Sequence, residues 1–496
     1  MFLFCVKLPA WRLISTAALR PVEVRAVLPE LPEKKDFMRR VDRMETDLTK
    51  GKPLSILLKF VIPLFIGNVF QQLYNMADTL IVGRFVGEEA LAAVGSTGTI
   101  MFLTLGLAIG LTTGFAVLTS QRYGARNERG IRSSVANAIL LSAAVTVILT
   151  VVYLVSMKPL LRLMNTPDNI FQDACTYIMI ICMGTAASVY YNLTSAFLRA
   201  VGNSRVPLYF LVFSAVLNVF LDLLLIIRFH MGVAGAAVAT VIAQGISAVL
   251  CFLYIYRRVH ILWPKRGEWK FSREDTRFQM RVGVPMALQF AITASGTMIM
   301  QAAVNLFGSV AVAGFTAANK MGNLLTQGMP SMGQAMASYS GQNYGYGDID
   351  RVKGGVRASL IILVIYSVIA MAVGYFMLPV TVRMFFTGNA DLTQLMPWAC
   401  TYTYLTIIFY IPLSFIFVFR NTMQGCGYGL LPMLGGVVEL GARFITALIA
   451  MHVHSYALAC FCDPMAWVAA CLFTWFAWLS VLKKIESGRG LTGRTS

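Results

Sequence analysis

Two aspartates stand inside long apolar stretches of the sequence, where a charged side chain is costly. Asp78 and Asp222 are both surrounded by hydrophobic residues, and Asn218 precedes Asp222 by four positions. Residues four apart share one face of a helix, so Asn218 and Asp222 should point the same way. Carboxylate and amide oxygens are ligands for hard cations such as Na⁺, and two close carboxylates can instead share a proton. These residues therefore predict a site for Na⁺ or H⁺.

The stretches that carry these residues place them at similar depth. Asp78 lies six residues before the end of its stretch, and Asp222 lies seven before the end of another. Thr240 lies seven residues after the start of the next stretch. At 1.5 Å per residue, all three lie roughly 10 Å from one membrane surface. Asp78, Asn218, Asp222 and Thr240 form the candidate cation site; the alternative is that each acid belongs to a hydrogen-bond network and binds no ion.

The composition is that of a membrane protein. Hydrophobic residues make up 57% of the 496 residues, charged residues only 13%, and the mean hydropathy is +0.68. The apolar residues occur in blocks of about 20 or more, the length of helix that crosses a bilayer. They predict an all-α protein with twelve transmembrane helices at about 54–82, 91–120, 133–157, 171–198, 207–229, 233–256, 282–307, 310–338, 356–378, 398–419, 430–453 and 465–482.

The net charge of +18 is explained by loop positions and requires no nucleic-acid partner. Lys and Arg accumulate in alternate loops, and such loops stay on the cytoplasmic side of a cell membrane. A multi-pass protein of the plasma membrane with both termini in the cytoplasm is therefore expected. The residues that carry this bias include Arg122, Arg126, Arg129, Arg132, Arg199, Arg205, Arg257, Arg258, Arg351, Lys353, Arg420, Lys483 and Lys484.

Three landmarks recur in the second half of the sequence at nearly one spacing. Residues 120–125 resemble 341–346, 59–63 resemble 281–285, and 202–207 resemble 427–432, at shifts of 221, 222 and 225 positions. The repeat predicts two six-helix lobes, 51–256 and 282–484, related by a pseudo-twofold axis along the membrane normal. A basic cytoplasmic linker, 257–281, joins them, and 485–496 form a tail. Residues 1–50 are expected to be cytoplasmic and poorly ordered, with Met38 and Met44 as alternative translation starts.

Other residues inside the spans have less specific interpretations. Glu439 and Arg443 are four apart, which predicts a mutually neutralising pair. Lys320 has no assigned role. Pro63 lies fifteen residues before Asp78, where a proline permits a bend that is either a static kink or a hinge. The nine cysteines form no Cys/His metal pattern and are expected to be free, so no cofactor and no metal beyond a possible Na⁺ are predicted.

The residues around the candidate site resemble a known family. Pro63 followed by NMADTLIVGR at 75–84 is similar to the first-helix signature of the multidrug and toxic compound extrusion (MATE) family. LNVFLD at 217–222 and GVAGAAVAT at 232–240 are similar to the same family. The resemblance covers about 50–485. It implies two lobes in a V shape and export of cationic, often aromatic compounds in exchange for H⁺ or Na⁺.

The resemblance also implies site residues. In the branch that this sequence resembles, the four candidate residues bind the coupling cation, and Gln71 and Tyr74 line the substrate cavity together with Asp78 and Asp222. Acids that another branch carries on its seventh and tenth helices are absent here. A monomeric antiporter, not an enzyme, is expected, with small-molecule substrates and the lipid bilayer as partners. The alternative within the superfamily is a flippase for a lipid-linked saccharide.

Overall fold

The computed structural model describes residues 46–164, 166–385 and 392–492, most of which are helical. Within these ranges twelve spans, α1 to α12, follow one another, as predicted; each overlaps a predicted span, but many of the helices extend several residues beyond the predicted ends. Met38, Met44 and most of the segment 1–50 lie outside the described residues. The spans are α1 Pro53–Phe85, α2 Glu88–Ser96 and Gly98–Gly124, α3 Glu128–Leu163, α4 Asp168–Met183 and Thr185–Ala200, α5 Arg205–Leu223, α6 Gly232–Arg258, α7 Arg273–Asn305, α8 Gly308–Leu325 and Gly328–Tyr346, α9 Ile349–Phe385, α10 Leu392–Ile407 and Tyr410–Gly425, α11 Leu430–Val453, and α12 Tyr456–Cys460 and Cys462–Thr492.

Most spans can be identified by their length and apolar composition alone. Within the described ranges, nine helices meet this criterion, and the paired segments of α4 and α10, bent by 48° and 50°, raise the number to eleven. The remaining span, α8, is more polar because much of its surface faces protein instead of lipid. Its buried polar side chains are Ser331, Ser338, Ser340, Gln342 and Asn343.

The break in α8 is stabilised by one hydroxyl group of α9. Tyr366 Oη donates a hydrogen bond to the carbonyl oxygen of Leu325 (2.8 Å), and the N–H of Gly328 donates to the same hydroxyl (3.2 Å). Helix ends leave backbone groups without intrahelical partners, and these groups are costly to bury unless another group bonds them. Tyr366 therefore allows α8 to break inside the protein.

The helices pack as two lobes, α1–α6 and α7–α12, with equivalent pairings. In the first lobe α1 packs against α5, α2 against α4, and α4 against α6; the second lobe repeats this with α7 and α11, α8 and α10, and α10 and α12. Between the lobes, α2 packs against α7 and α8 against α1. The predicted pair of six-helix lobes is confirmed.

Two reciprocal hydrogen bonds join the lobes at the end of the bundle that carries the basic loops, which we call the basic end. Gln121 Nε2 on α2 donates to the carbonyl oxygen of Gly425 on α10 (2.8 Å). Gln342 Nε2 on α8 donates to the carbonyl oxygen of Ala200 on α4, also at 2.8 Å. Gln121 and Gln342 occupy equivalent positions in the repeat. We call these bonds the reciprocal glutamine contacts.

Two glycines allow the backbones of α2 and α8 to approach closely beside these contacts. A Cβ atom added to Gly124 would lie 1.8 Å from the carbonyl oxygen of Gln342, and one added to Gly345 would lie 1.9 Å from that of Gln121. Both distances are far shorter than any real contact of a Cβ atom. The closed basic end therefore requires glycine at both positions.

An ion pair and a hydrogen bond between two side-chain amides also join the first lobe to α7 at the basic end. Arg122 forms a bidentate pair with Asp275 of α7, with Nη1 2.7 Å from Oδ2. Asn137 Nδ2 donates to Gln279 Oε1 at 2.8 Å. Charged bidentate bonds fix geometry as well as contributing energy. The first lobe is thus held to the start of α7.

The segment before α1 lies across both lobes at the basic end. The N–H of Thr46 donates to the carbonyl oxygen of Gly202 in the first lobe (3.1 Å). In the second lobe, Asn343 Nδ2 donates to the carbonyl oxygen of Leu48 (3.2 Å), and Arg351 Nη1 donates to that of Gly51 (2.9 Å). Leu48 is fully buried. Residues 46–51 therefore act as a strap that bridges the lobes.

Toward the opposite end the lobes separate. The second segment of α8 packs against α1 and α2, whereas its first segment packs against α9 and α10 of its own lobe. Near mid-membrane, Asn68 Nδ2 of α1 still donates to Ser331 Oγ of α8 (2.8 Å). The lobes thus enclose a cleft that is closed at the basic end and opens toward the other.

Candidate functional site

The structure brings Asp78 and Asp222 together inside the first lobe. Asp78 lies on α1 and is 7% exposed, and Asp222 lies on α5 and is fully buried. Their carboxyl groups are close enough to share a hydrogen bond when one of them carries a proton. Because α1 packs against α5, the two residues meet despite a separation of 144 positions. Neither carboxyl group faces lipid.

Asn218 and Thr240 lie beside the acids. Asn218 Nδ2, one turn before Asp222 on α5, donates to Thr240 Oγ1 of α6 at 3.3 Å. Tyr74 Oη of α1 lies 3.5 Å from the same Thr240 oxygen. The predicted set Asp78, Asn218, Asp222 and Thr240 therefore forms one cluster built from three helices, with Tyr74 at its edge.

Several oxygen atoms of this cluster are buried without a hydrogen-bond partner in the described part of the chain. They are Asp78 Oδ1, both carboxylate oxygens of Asp222, and Asn218 Oδ1. Two adjacent carboxylates that are removed from water and face each other need a positive charge between them. A proton or a cation with oxygen ligands would satisfy these atoms. The residues present therefore fit either coupling ion.

A turn of π-helix begins two residues after Asp222. Residues Leu224–Arg228 form this turn, and within it Ile226 is buried against Val82 of α1. Such turns are rare and often occur at functional sites, because they change the direction in which nearby side chains point. The sequence contains no proline or glycine between Leu223 and Arg228 that could have signalled this feature.

The remaining residues predicted for this region lie along α1. Tyr74 and Gln71 precede Asp78 by about one and two turns. Gln71 is exposed, and no hydrogen bond joins its side chain to the cluster among the described residues. α1 continues through Pro63 as a single helix of 33 residues. Pro63 thus lies between the strap, which precedes α1, and Asp78, which lies on the same uninterrupted helix.

The second lobe contains a buried ion network in place of an acid pair. Glu439 contacts Arg443 (3.1 Å) as predicted, and also Arg420 (3.2 Å); Arg443 further binds Asp463 at 2.8 Å. The assignment of Arg420 to a cytoplasmic loop is wrong, because α10 extends to Gly425 and the Arg420 side chain is buried. Asp463 was not anticipated as a partner because it lies on a different helix. The guanidinium groups of Arg420 and Arg443 thus neutralise the carboxylates of Glu439 and Asp463.

Lys320, to which the sequence assigned no role, is exposed on the first segment of α8. The described residues contain no group of three or more His, Cys, Asp and Glu side chains that could hold a metal ion. The eight cysteines among them are free, as predicted.

Two membrane-embedded lobes related by a pseudo-twofold axis, with a buried acid pair in one of them, define a transporter. The chain belongs to the MatE family, whose profile matches residues 63–224 and 285–459. Members of this family are transporters and not enzymes, and this chain is a multi-pass membrane transporter of the multidrug-efflux type.

Named relatives agree with this assignment. A probable multidrug resistance protein, YpnP of Bacillus subtilis, is 32% identical over 62% of this chain and 68% of its own length. A second, YoeA of the same species, is 29% identical over 61% of this chain and 66% of its length. A third, NorM of Thermotoga maritima, is 26% identical over 68% of this chain and 73% of its own length. The chain therefore spans about two thirds to three quarters of the relatives that it matches.

Solved structures share the fold. A MOP superfamily transporter from Pyrococcus furiosus has a TM-score of 0.84 at 22% identity and covers 90% of this chain and 99% of its own. An outward-facing multidrug resistance MATE transporter has a TM-score of 0.82 at 22% identity with the same coverage. These neighbours support twelve spans in two lobes.

Proposed function

We propose that this protein is a secondary antiporter that exports small cationic or aromatic molecules in exchange for inward H⁺ or Na⁺. The observation that carries the proposal is the buried acid pair, Asp78 and Asp222, whose oxygen atoms have no partner. The ion network of Glu439, Arg420, Arg443 and Asp463 in the second lobe does not bind a coupling cation in this way, because its acids are already neutralised by arginines. Ion coupling is therefore assigned to the first lobe.

The geometry supports a sequence of steps that begins with the cleft closed at the basic end. A cation enters from the open end and neutralises Asp78 and Asp222, which weakens their attraction for a positively charged substrate. The substrate then leaves toward the open end. Repacking of α1 and α5 around the neutral pair follows, with Pro63 as the place where α1 can bend. The lobes then rock until the basic end opens.

The distribution of charge supports the direction of export. The basic loops favour a cytoplasmic location for the closed end and for both termini, in a plasma membrane. A closed cytoplasmic end with a cleft that opens outward is the state that releases an exported compound. Both lobes that form the cleft belong to one chain, so a monomer is sufficient for transport.

The multidrug resistance activity named for several relatives supports the substrate class. The acid pair favours a positively charged substrate. A lipid-linked saccharide carries phosphate groups, which a pair of carboxylates would repel. The antiporter is therefore preferred to the flippase.

Transport by Asp78→Asn and Asp222→Asn variants in proteoliposomes tests the proposal. Each change keeps the size of the side chain but removes the group that binds the cation, so both variants should lose export while their melting temperatures stay close to that of the wild type. Asp173→Asn removes an exposed acid of α4 and should export normally. Separate Na⁺ and pH gradients identify the ion. Wild-type export rates in both site variants would refute the assignment.

A further inference from the structure

The strap, residues 46–51, leads directly into α1 of the first lobe but bonds chiefly to the second lobe. The N–H of Leu48 donates to Gln342 Oε1 of α8 (3.3 Å), and the carbonyl oxygen of Leu48 accepts from Arg351 Nη2 of α9 (3.2 Å). Asn343 Nδ2 and Arg351 Nη1 add two more hydrogen bonds from the second lobe. The strap is therefore joined covalently to one lobe and docked on the other.

The side chain of Leu48 anchors the strap. It is fully buried and belongs to a hydrophobic cluster with Met336 and Tyr339 of α8 and Val352 of α9. Leu57 of α1 belongs to the same cluster, so the cluster includes residues of both lobes. Burial of a whole leucine side chain is a large contribution for one residue. Leu48 makes this contribution while its own lobe lies against the second lobe, which ties it to the closed basic end.

Contacts inside the strap hold its shape. Asp47 Oδ1 accepts hydrogen bonds from the N–H (3.0 Å) and from the hydroxyl of Thr49, and Asp47 Oδ2 lies 3.2 Å from Lys50 Nζ. An aspartate that bonds to the backbone two residues later forms a compact turn without help from other segments. The strap can therefore leave the second lobe as a preformed unit.

On the first lobe the strap fits closely against Gly202. The N–H of Thr46 donates to the carbonyl oxygen of Gly202, and a Cβ atom added to Gly202 would lie 2.1 Å from the carbonyl oxygen of Thr46. Gly202 also has a φ of +92°, which residues with a Cβ atom rarely adopt. Together with the covalent link to α1, this contact keeps the strap on the first lobe when the lobes separate.

Gln342 couples the strap to the reciprocal glutamine contacts. Its Oε1 accepts from the N–H of Leu48, and its Nε2 donates to the carbonyl oxygen of Ala200. One amide group of the second lobe thus bonds both to the strap and to α4. Because both bonds end at the same side chain, separation of the lobes breaks them together.

We infer that the strap is a latch of the transport cycle. It docks on α8 and α9 while the basic end is closed, and it leaves them together with the first lobe when that end opens. The inference rests on the proposed function, because it assigns the strap to one state of the cycle. The strength of docking sets the population of the closed state, so a weaker latch shifts the equilibrium toward an open basic end.

Alanine substitutions at Leu48 and at Leu54 test the latch. Ser120→Cys places a reporter thiol on α2, where Ser120 is 2% exposed and its hydroxyl donates to the carbonyl oxygen of Ser338 on α8 (3.0 Å). In inside-out membrane vesicles, Leu48→Ala should let an impermeant maleimide label this thiol at least about tenfold faster. Leu54→Ala is the matched control and should leave the rate unchanged, because Leu54 is 44% exposed at the start of α1.

A second pair of variants tests the hydrogen bonds of the strap. Arg351→Gln removes the guanidinium that donates to the carbonyl oxygens of Leu48 and Gly51, and it should speed labelling about threefold or more. Arg357→Gln removes an exposed arginine from the same helix and should have no effect. Agreement of both pairs would show that docking of the strap holds the basic end closed.

Two measurements separate the latch from a general loss of structure. Arg205→Cys replaces an exposed residue at the basic end, so its rapid labelling identifies the vesicles in which the reagent reaches that end. Protein without Ser120→Cys reports the native cysteines, such as the buried Cys251 of α6. Faster labelling of these native thiols in Leu48→Ala, or an unchanged rate at Ser120→Cys, overturns the inference. Labelling needs neither substrate nor ion gradient, so normal export by Asp78→Asn would refute the ion coupling and leave the labelling result intact.

Discussion

Gly345→Ala is expected to open the basic end. In the closed structure the new methyl group would lie 1.9 Å from the carbonyl oxygen of Gln121, a backbone atom that cannot rotate away. α2 and α8 must then separate by about 1 Å to reach even a short contact. Such a shift stretches both reciprocal glutamine contacts, because each spans the same interface.

The cost follows from the bonds that are weakened. Each of the two hydrogen bonds at 2.8 Å contributes about 0.5–1.5 kcal/mol, and a gap of 0.5–1 Å removes a quarter to a half of the local packing attraction. A total of about 2–3 kcal/mol corresponds to a shift of roughly 30- to 150-fold in the equilibrium between closed and open basic ends. The protein should remain folded, because the proposed transport cycle also includes an open basic end.

Maleimide labelling measures this shift. Ser120→Cys places a thiol on α2 at a position that is buried against α8 when the basic end is closed. In inside-out membrane vesicles, an impermeant maleimide should label this thiol at least tenfold faster when Gly345→Ala is also present. Gly441→Ala is the control, because an added Cβ there has no neighbour within 4 Å. Equal labelling rates with and without Gly345→Ala would show that the closure does not depend on this contact.

Three further predictions concern the charged contacts. Arg122→Gln and Asp275→Asn should be non-additive by about 1–3 kcal/mol in a double-mutant cycle of thermal stability, and strict additivity would contradict a direct interaction. Glu439→Gln leaves two buried arginines with one acid and should cost about 3–5 kcal/mol, seen as a large fall in melting temperature; a small change would mean that the network is hydrated. Burial raises the pKa of Glu268, but a backbone N–H and the Arg132 guanidinium outweigh this and hold it below its usual range. Its stabilising effect is therefore present above the ordinary pKa of a glutamate and is lost as the pH falls through the lowered pKa, so Glu268→Gln should lower the melting temperature at pH 7 and should lower it progressively less as the pH falls below that ordinary pKa.

The spans were predictable because lipid imposes a strict requirement on sequence. Only a helix of about 20 residues can cross the bilayer with its backbone groups satisfied, so apolar blocks show where helices lie. The breaks inside spans were not predicted in this way. The break of α8 at residues 326–327 depends on the hydroxyl of Tyr366, a residue 38 positions beyond Gly328. Tertiary contacts of this kind leave no local signal.

Depth along each helix was enough to group Asp78 with Asp222, but it did not identify the ion-pair partners of Glu439 and Arg443 on neighbouring helices. Asp78 and Asp222 were matched because both lie at a similar distance from the membrane surface. Glu439 was paired with Arg443 by its spacing on one helix, whereas its contact with Arg420 depends on how α10 packs near α11. Arg420 was misassigned because a basic residue near the end of an apolar block resembles a loop residue.

The reciprocal glutamine contacts have the geometry of a symmetric dimer interface. Each half of the chain provides one donor and one acceptor, as two identical subunits would across a twofold axis. In a true homodimer a single substitution would change both bonds at once. Because the two halves are fused in one chain, each can carry different residues at equivalent depths. The first half therefore keeps the acid pair Asp78 and Asp222, while the acids of the second half are neutralised by arginines.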